Sequence, residues 1–329
     1  MDKQKLTKWG AIAMTVVILV AIYSQIDLRA LAGVFVNIHP WYFALAMSVF
    51  LLQFFVTALR WRVMLVGIHP MTVWGAFKMV MAGKALNAIA PSKLGEMSKA
   101  YFLKKEGATE LAPALSAVVL EKVLDMAGLC AVLLIGAIFW RDTGNPTWWV
   151  AMLIGAGFIL ATAVLLVVPL EPLGRLFTRL HPKLEKVAKL LRGWDDVLRR
   201  WKEHPAAFVS ILLLSVLLWS VHVLQLYLFF PSLRQTVPVA FTVANIPLAI
   251  FVGLLPLTFA GMGTRDAAFI FLFSPYASAA AMAGVGLLAS MRYWVDTLVG
   301  IPFFHLYASK SAGAKTQGPG GGARPLGSE

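Results

Sequence analysis

Four ionisable residues sit inside long apolar stretches of the sequence: Glu121 and Asp125 in one, Arg292 and Asp296 in another. Members of each pair are four positions apart, which puts both on one face of a helix. Such a face is too costly to turn towards lipid. Two outcomes stay open at this point. Either Arg292 neutralises Glu121 or Asp296 inside a helical bundle, or the residues are functional, the four lining a hydrophilic path for a headgroup or a carboxylate carrying a coupling proton.

Each pair follows an interruption of the apolar sequence. The first is Pro91-Ser92-Lys93-Leu94-Gly95-Glu96, the second Pro256-Leu257-Thr258-Phe259-Ala260-Gly261-Met262-Gly263-Thr264-Arg265-Asp266. From Glu96 to Glu121 is 25 positions and from Asp266 to Arg292 is 26, so the chain reads as a duplicated unit. Proline, glycine and charge beside membrane-length segments are costly unless they line a protected cavity. Gly261 and Gly263 let the backbone turn tightly and approach a ligand closely. A half-helix starting at Thr264 would offer free amides and a positive dipole end to a phosphate or carboxylate, and Arg265 adds a planar, permanently charged donor. In the first unit Lys93 and Lys99 are placed to hold the same headgroup from the other side, while Glu96 can accept from an amine or a sugar hydroxyl. The plainer alternative is that these charges sit in water at the mouth of each break, and the repetition weighs against it. The candidate path is therefore Lys93, Gly95, Glu96, Lys99, Glu121, Asp125, Thr258, Gly261, Gly263, Arg265, Asp266, Arg292 and Asp296.

Other chemistries find little support. Four of the six histidines occur as His-Pro (His39, His69, His181, His204), each where a helical segment begins and proline suits the first turn. His222 and His305 have no partner at ligand spacing, so no metal and no cofactor is expected. A phosphate-binding Gly-x-x-x-x-Gly-Lys-Ser/Thr loop is missing, which excludes ATP hydrolysis by that device, and so is a Gly-x-Ser-x-Gly elbow. Cys130 is the sole cysteine and lies in an apolar run, so it reads as a small core residue.

These residues must be positioned by membrane helices. Of the 329 residues 59% are hydrophobic, against about 45–50% in a soluble domain. The net charge of +13 falls in short blocks between apolar runs, which points to anionic lipid headgroups rather than nucleic acid. A spanning helix needs about 20 mostly apolar residues, and six stretches meet or approach this: 9–25, 41–65, 111–139, 147–169, 205–230 and 277–307. The first follows Lys3, Lys5 and Lys8 without a convincing cleavage site and is expected to be retained. Two more apolar stretches are harder to place as simple spans: 71–90, which contains Lys78, Lys84 and Asn87 and leads into the first break, and 239–274, which is broken by Pro247, the Pro256 to Gly263 segment and Pro275.

Cytoplasmic loops carry the excess of Lys and Arg. Applied along the chain, this puts both termini inside and the 24–40 and 231–238 loops outside. Arg60 and Arg62 return the chain to the inside, and Lys93, Lys99, Lys104 and Lys105 keep it there, so 71–90 must enter and leave by the cytoplasmic face. By the same count 239–274 enters and leaves from outside. The expected fold class is an all-α polytopic membrane protein with about six full transmembrane helices and two re-entrant broken elements forming an inverted repeat, an arrangement that builds midplane sites in transporters. One membrane domain is expected over 1–308. Within it 171–203, with nine Lys or Arg against five acids, is a cytoplasmic linker in which Leu184, Val187, Leu190, Leu191, Trp194, Val197, Leu198 and Trp201 mark an amphipathic helix whose apolar side meets either lipid or its own protein. Residues 309–329 are expected to be a disordered tail.

Pro91-x-x-x-Gly95-Glu96, Glu121-Lys122-x-x-Asp125, Pro256-x-Thr258 with Gly261-x-Gly263-x-Arg265-Asp266, and Arg292-x-x-x-Asp296 together resemble the lysylphosphatidylglycerol synthase transmembrane (flippase-like) family, over about residues 5 to 308. The resemblance implies a lipid-translocating module, used in multiple peptide resistance proteins to move aminoacylated phosphatidylglycerol to the outer leaflet. Stand-alone members are associated with hopanoid or lipid-linked glycan pathways. No soluble aminoacyl-transferase domain follows span 277–307, so this chain is expected to act as a stand-alone member and not as a lysyl transferase. The expectation is a lipid flippase of the bacterial inner membrane working without ATP. Its partners would be anionic phospholipids or lipid-linked glycans, with enzymes of an envelope lipid pathway and a second copy of the chain as further candidates. The alternatives are a membrane-embedded transferase acting on a lipid-linked sugar, and a non-transporting accessory subunit.

Overall fold

The computed structural model describes residues 3–24, 26–87, 95–255, 257–258 and 261–316. Helix is the only regular structure among them, in the order α1 (Lys3–Tyr23), α2 (Leu28–Val36), α3 (Pro40–Met64), α4 (Val73–Leu86), α5 (Ser98–Lys105), α6 (Leu111–Phe139), α7 (Pro146–Val167), α8 (Glu171–Leu180), α9 (Glu185–Glu203), α10 (Pro205–Ser232), α11 (Val239–Leu254), α12 (Thr264–Phe273) and α13 (Ala279–Thr316). Helices cover all six stretches expected to span. Three of them, α3, α7 and α10, are long and apolar enough to cross a membrane by length and composition, as in a multi-pass membrane protein.

Local chemistry sets the helix starts. Pro40, Pro146 and Pro205 open α3, α7 and α10 from the first turn, where the missing N–H costs nothing. Thr72 caps α4 by accepting the Gly75 N–H at 3.0 Å. Asp27 does the same for α2, accepting from Arg29 N–H at 2.8 Å. That helix corrects the expectation of a plain loop over 24–40: a capped nine-residue helix stands there, bent 89° from the Ala13–Tyr23 part of α1. Pro247 corrects a second one, because α11 runs through it and the chain breaks only after Leu254.

α3 packs along α10 as the central pair. Around it the other helices exchange partners. α4 lies on α13, with Trp74 and Phe77 against Phe303 and the Tyr293 hydroxyl donating to Asn87 O at the far end of α4. α4 therefore climbs α13 from the Phe303 end to Tyr293, which is midway between Ala279 and Tyr307 and about 21 Å from either by helical rise. By α5 the chain has come back down: Phe102 stacks on Tyr307 and Lys105 Nζ donates to Tyr307 O at 2.8 Å.

α11 and α12 behave the same way on α6. Phe241 meets Trp140 just past the end of α6, with ring centroids 5.2 Å apart, and Leu248 joins Leu133 and Ala137 further along it. After the break, Phe273 and Tyr276 return to the Phe241 ring at 5.4 and 4.7 Å. Both close approaches depend on a glycine. A Cβ on Gly300 of α13 would lie 2.3 Å from Met81 O of α4, and one on Gly136 of α6 would lie 2.6 Å from Val243 O of α11.

α9 bears on the alternative left open for the amphipathic helix of the 171–203 linker. Its apolar side, with Ala188, Trp194, Val197, Leu198 and Trp201 buried, is spent on its own bundle. Trp194 Nε1 donates to Leu165 O at 3.2 Å and Trp201 Nε1 to Met64 O at 2.9 Å. Lys189, Arg192 and Arg199 stay on the opposite, polar side and meet only acids of their own helix.

Candidate functional site

α3 carries the residue on which the first unit's charges centre. Arg60 is 1% exposed, with Nη2 2.6 Å from Asp125 Oδ1 and 3.3 Å from Glu121 Oε1, while Nη1 donates to Ser215 Oγ of α10 at 3.2 Å. Helical spacing brings Glu121 and Asp125 of α6 to one face, as expected, and both meet this guanidinium. The other Glu121 oxygen accepts from Lys99 of α5, whose ammonium also lies 4.2 Å from the centre of the Trp61 ring. Lys122 joins Glu96 and also Asp125, the latter at 3.2 Å, and Asn87 Nδ2 donates to Glu96 Oε1 at 3.3 Å. Arg60, Lys99 and the partly exposed Lys122 thus balance Glu96, Glu121 and Asp125, as charges drawn into a bundle require. Gly95 is buried where a Cβ would fall 2.3 Å from Asn87 N, so the two sides of the break touch backbone to backbone. Lys93 lies outside the described residues.

At the second break Gly261 and Gly263 take φ of 75° and 91°, a region that side chains other than glycine's rarely enter. α12 begins at Thr264, as the sequence leads one to expect, but the chain itself supplies a carboxylate there: Asp266 Oδ2 accepts the Gly263 N–H at 3.1 Å. Thr258 and Thr264 share a hydroxyl hydrogen bond of 2.9 Å. Arg265 Nη2 donates to Ser290 Oγ at 2.8 Å and to Gly286 O at 3.3 Å, and lies 3.4 Å from Asp266 Oδ1.

The two breaks meet the same part of α13. Arg265 reaches Ser290, and Asn87 O accepts from Tyr293, less than one turn away. Asp296, one turn further on, pairs with Lys84 of α4 at 2.8 Å. Arg292 does not pair with Asp296 or Glu121. It crosses to the α3 and α10 pair, with Nη1 2.8 Å from His222 Nε2, Nη2 donating to Gln53 Oε1 at 3.1 Å, and its guanidinium 5.1 Å from the centre of the Phe50 ring. Gln53 Nε2 continues the chain to Gln225 Oε1 at 2.8 Å. The arrangement is a polar belt across the bundle, in which charged and amide side chains from distant helices meet one another.

Sequence reasoning missed Arg60, Lys84, Lys122, Gln53 and His222 as parts of this belt. For Arg60 a signal was present: Gln53, Arg60 and Met64 recur at helical spacing on the buried side of α3, whereas Arg62 points away and donates to Met71 O.

The family described as "Lysylphosphatidylglycerol synthase TM region" matches residues 8–300. Among curated proteins, a UPF0104 membrane protein of Methanocaldococcus jannaschii is 26% identical over 91% of this chain and 95% of its own length. A UPF0104 membrane protein of Methanothermobacter thermautotrophicus is 25% identical over 69% of this chain and 75% of its own. No solved structure matches the chain. With its match running through both breaks and into α13, the chain belongs to the lysylphosphatidylglycerol synthase transmembrane-region family.

Proposed function

We propose that this protein moves a lipid headgroup between the leaflets of the cytoplasmic membrane, along the belt where its two broken units meet. The observation that carries the reading is the convergence of both breaks on the middle of α13, at Ser290 and Tyr293. A site at that depth, reached by one unit from each side, is the arrangement from which alternating access follows.

The contacts described above support the two-sided geometry. α4 and α5 begin and end beside Phe303 and Tyr307, while α11 and α12 begin and end beside Trp140 and Phe241. Each pair is then a re-entrant element, and the two form an inverted repeat. α9, with its basic face, packs against the end where α3 finishes, which supports a cytoplasmic side there and, with it, both termini inside. Membership of a family named for the membrane region of a lipid-modifying synthase supports a lipid cargo.

Purified protein reconstituted into liposomes with fluorescent phosphatidylglycerol, lysyl-phosphatidylglycerol and isoprenoid-linked lipids tests the reading through leaflet accessibility. At least one lipid is expected to exchange leaflets faster than in empty liposomes. Equal rates across the whole panel would remove the proposal.

A further inference from the structure

Among the described residues, the interior charges of the belt are matched with one exception. Arg60, Lys84, Lys99, Lys122 and Arg265 each have a carboxylate within 4.0 Å. Arg292 has none among the described residues, and its contacts are a histidine, a glutamine and an aromatic ring. A permanently charged group inside a membrane bundle without a counter-ion is costly.

Unused donors lie on the guanidinium and on the neighbours of its contacts. Arg292 Nε, Gln225 Nε2 and Trp219 Nε1 are all buried without a hydrogen-bond partner, and Gln225 is 0% exposed. Both other donors stand one link from the guanidinium: Gln225 through Gln53, and Trp219 through His222, whose ring centroid is 5.1 Å from its own. Three N–H groups without acceptors and one positive charge without a carboxylate fit an oxyanion that accepts several hydrogen bonds.

We propose that Arg292, with Gln225 and Trp219, forms a subsite for the phosphate diester of an anionic lipid. This rests on the reading of the middle of α13 as a headgroup path, and it narrows that path's cargo to lipids whose phosphate can reach the guanidinium. Charged groups elsewhere in the belt are already neutralised in pairs, so the phosphate supplies the counter-charge that the fold leaves out.

The test is calorimetric titration of the purified protein in a maltoside detergent with dihexanoyl-phosphatidylglycerol, dihexanoylglycerol and inorganic phosphate. The phosphatidylglycerol is expected to bind at least tenfold more tightly than either of the other two. Arg292→Gln should weaken it at least tenfold, and Arg292→Lys and Trp219→Phe about threefold each. Equal binding of dihexanoylglycerol would overturn the phosphate, and equal binding of inorganic phosphate would overturn the lipid. Wild-type affinity in folded Arg292→Lys and Trp219→Phe would overturn the subsite even where Arg292→Gln fails to fold. A protein that moves lipid in liposomes but gives a flat phosphatidylglycerol titration sinks the subsite and leaves transport standing. Binding without movement does the reverse.

Discussion

Lys84 and Asp296 lie 212 positions apart in the chain and meet at 2.8 Å, tying the upper end of α4 to the middle of α13. Their side chains are 14% and 18% exposed, so solvent screens the pair only in part. The pair sits one turn from the Tyr293 contact with Asn87, and it fixes how far the first unit climbs.

Lys84→Ala and Asp296→Ala are each expected to cost about 1–3 kcal/mol, since each leaves a partly buried charge without its partner. The reversed pair Lys84→Asp with Asp296→Lys should recover at least half of that loss. A double-mutant cycle on thermal unfolding in detergent reads the coupling. Additive losses in the reversed pair would show that the contact does not hold α4 in place.

Arg60 and Arg62 provide a contrast within one turn of α3. Arg60→Ala leaves Glu96, Glu121 and Asp125 with only Lys99 and Lys122 to balance them, one positive charge short, and is expected to cost about 3–5 kcal/mol. Arg62 is exposed, and Arg62→Ala should stay within about 1 kcal/mol. Melting temperatures of the two variants, measured side by side, check the difference. Equal shifts would contradict the placement of Arg60.

The reciprocal packing of α4 on α13 and of α11 on α6 predicts matching sensitivity at two distant glycines. Gly300→Leu and Gly136→Leu must each push a neighbouring backbone away, at a cost of about 1–3 kcal/mol or more. Gly33→Ala, with nothing within 4 Å of its Cβ, is the control and should be close to neutral. Loss of folded protein on size-exclusion chromatography for both leucine variants, with Gly33→Ala unaffected, is the expected outcome.

Much of this architecture was legible in the order of the residues. Apolar length located every long helix, and the shared face of Glu121 and Asp125 followed from their spacing. Arg60 was misread because counting positive charges treats neighbours alike, whereas residues two apart on a helix point to different sides. Asp27 was a usable sign of α2, since an Asp before an apolar run can cap a helix, but nine residues are too few to stand out by periodicity. The partners of Arg292 and Asp296 were not readable locally. Which of two carboxylates or lysines an intramembrane charge meets depends on how distant helices pack, and Lys84 reaches Asp296 only because Gly300 lets α4 lie against α13.

The two-sided arrangement of the broken units is tested most directly by labelling single cysteines in sealed, oriented vesicles with a membrane-impermeant maleimide. Cys130 is fully buried and is replaced by alanine to give a silent background. Pro70→Cys and Glu110→Cys flank α4 and α5; Thr236→Cys and Ser274→Cys flank α11 and α12, and all four positions are exposed. Positions 70 and 110 are expected to label from one side only, and 236 and 274 from the opposite side only. Labelling of 70 and 110 from opposite sides would mean that the first unit crosses the membrane outright, and would contradict the account.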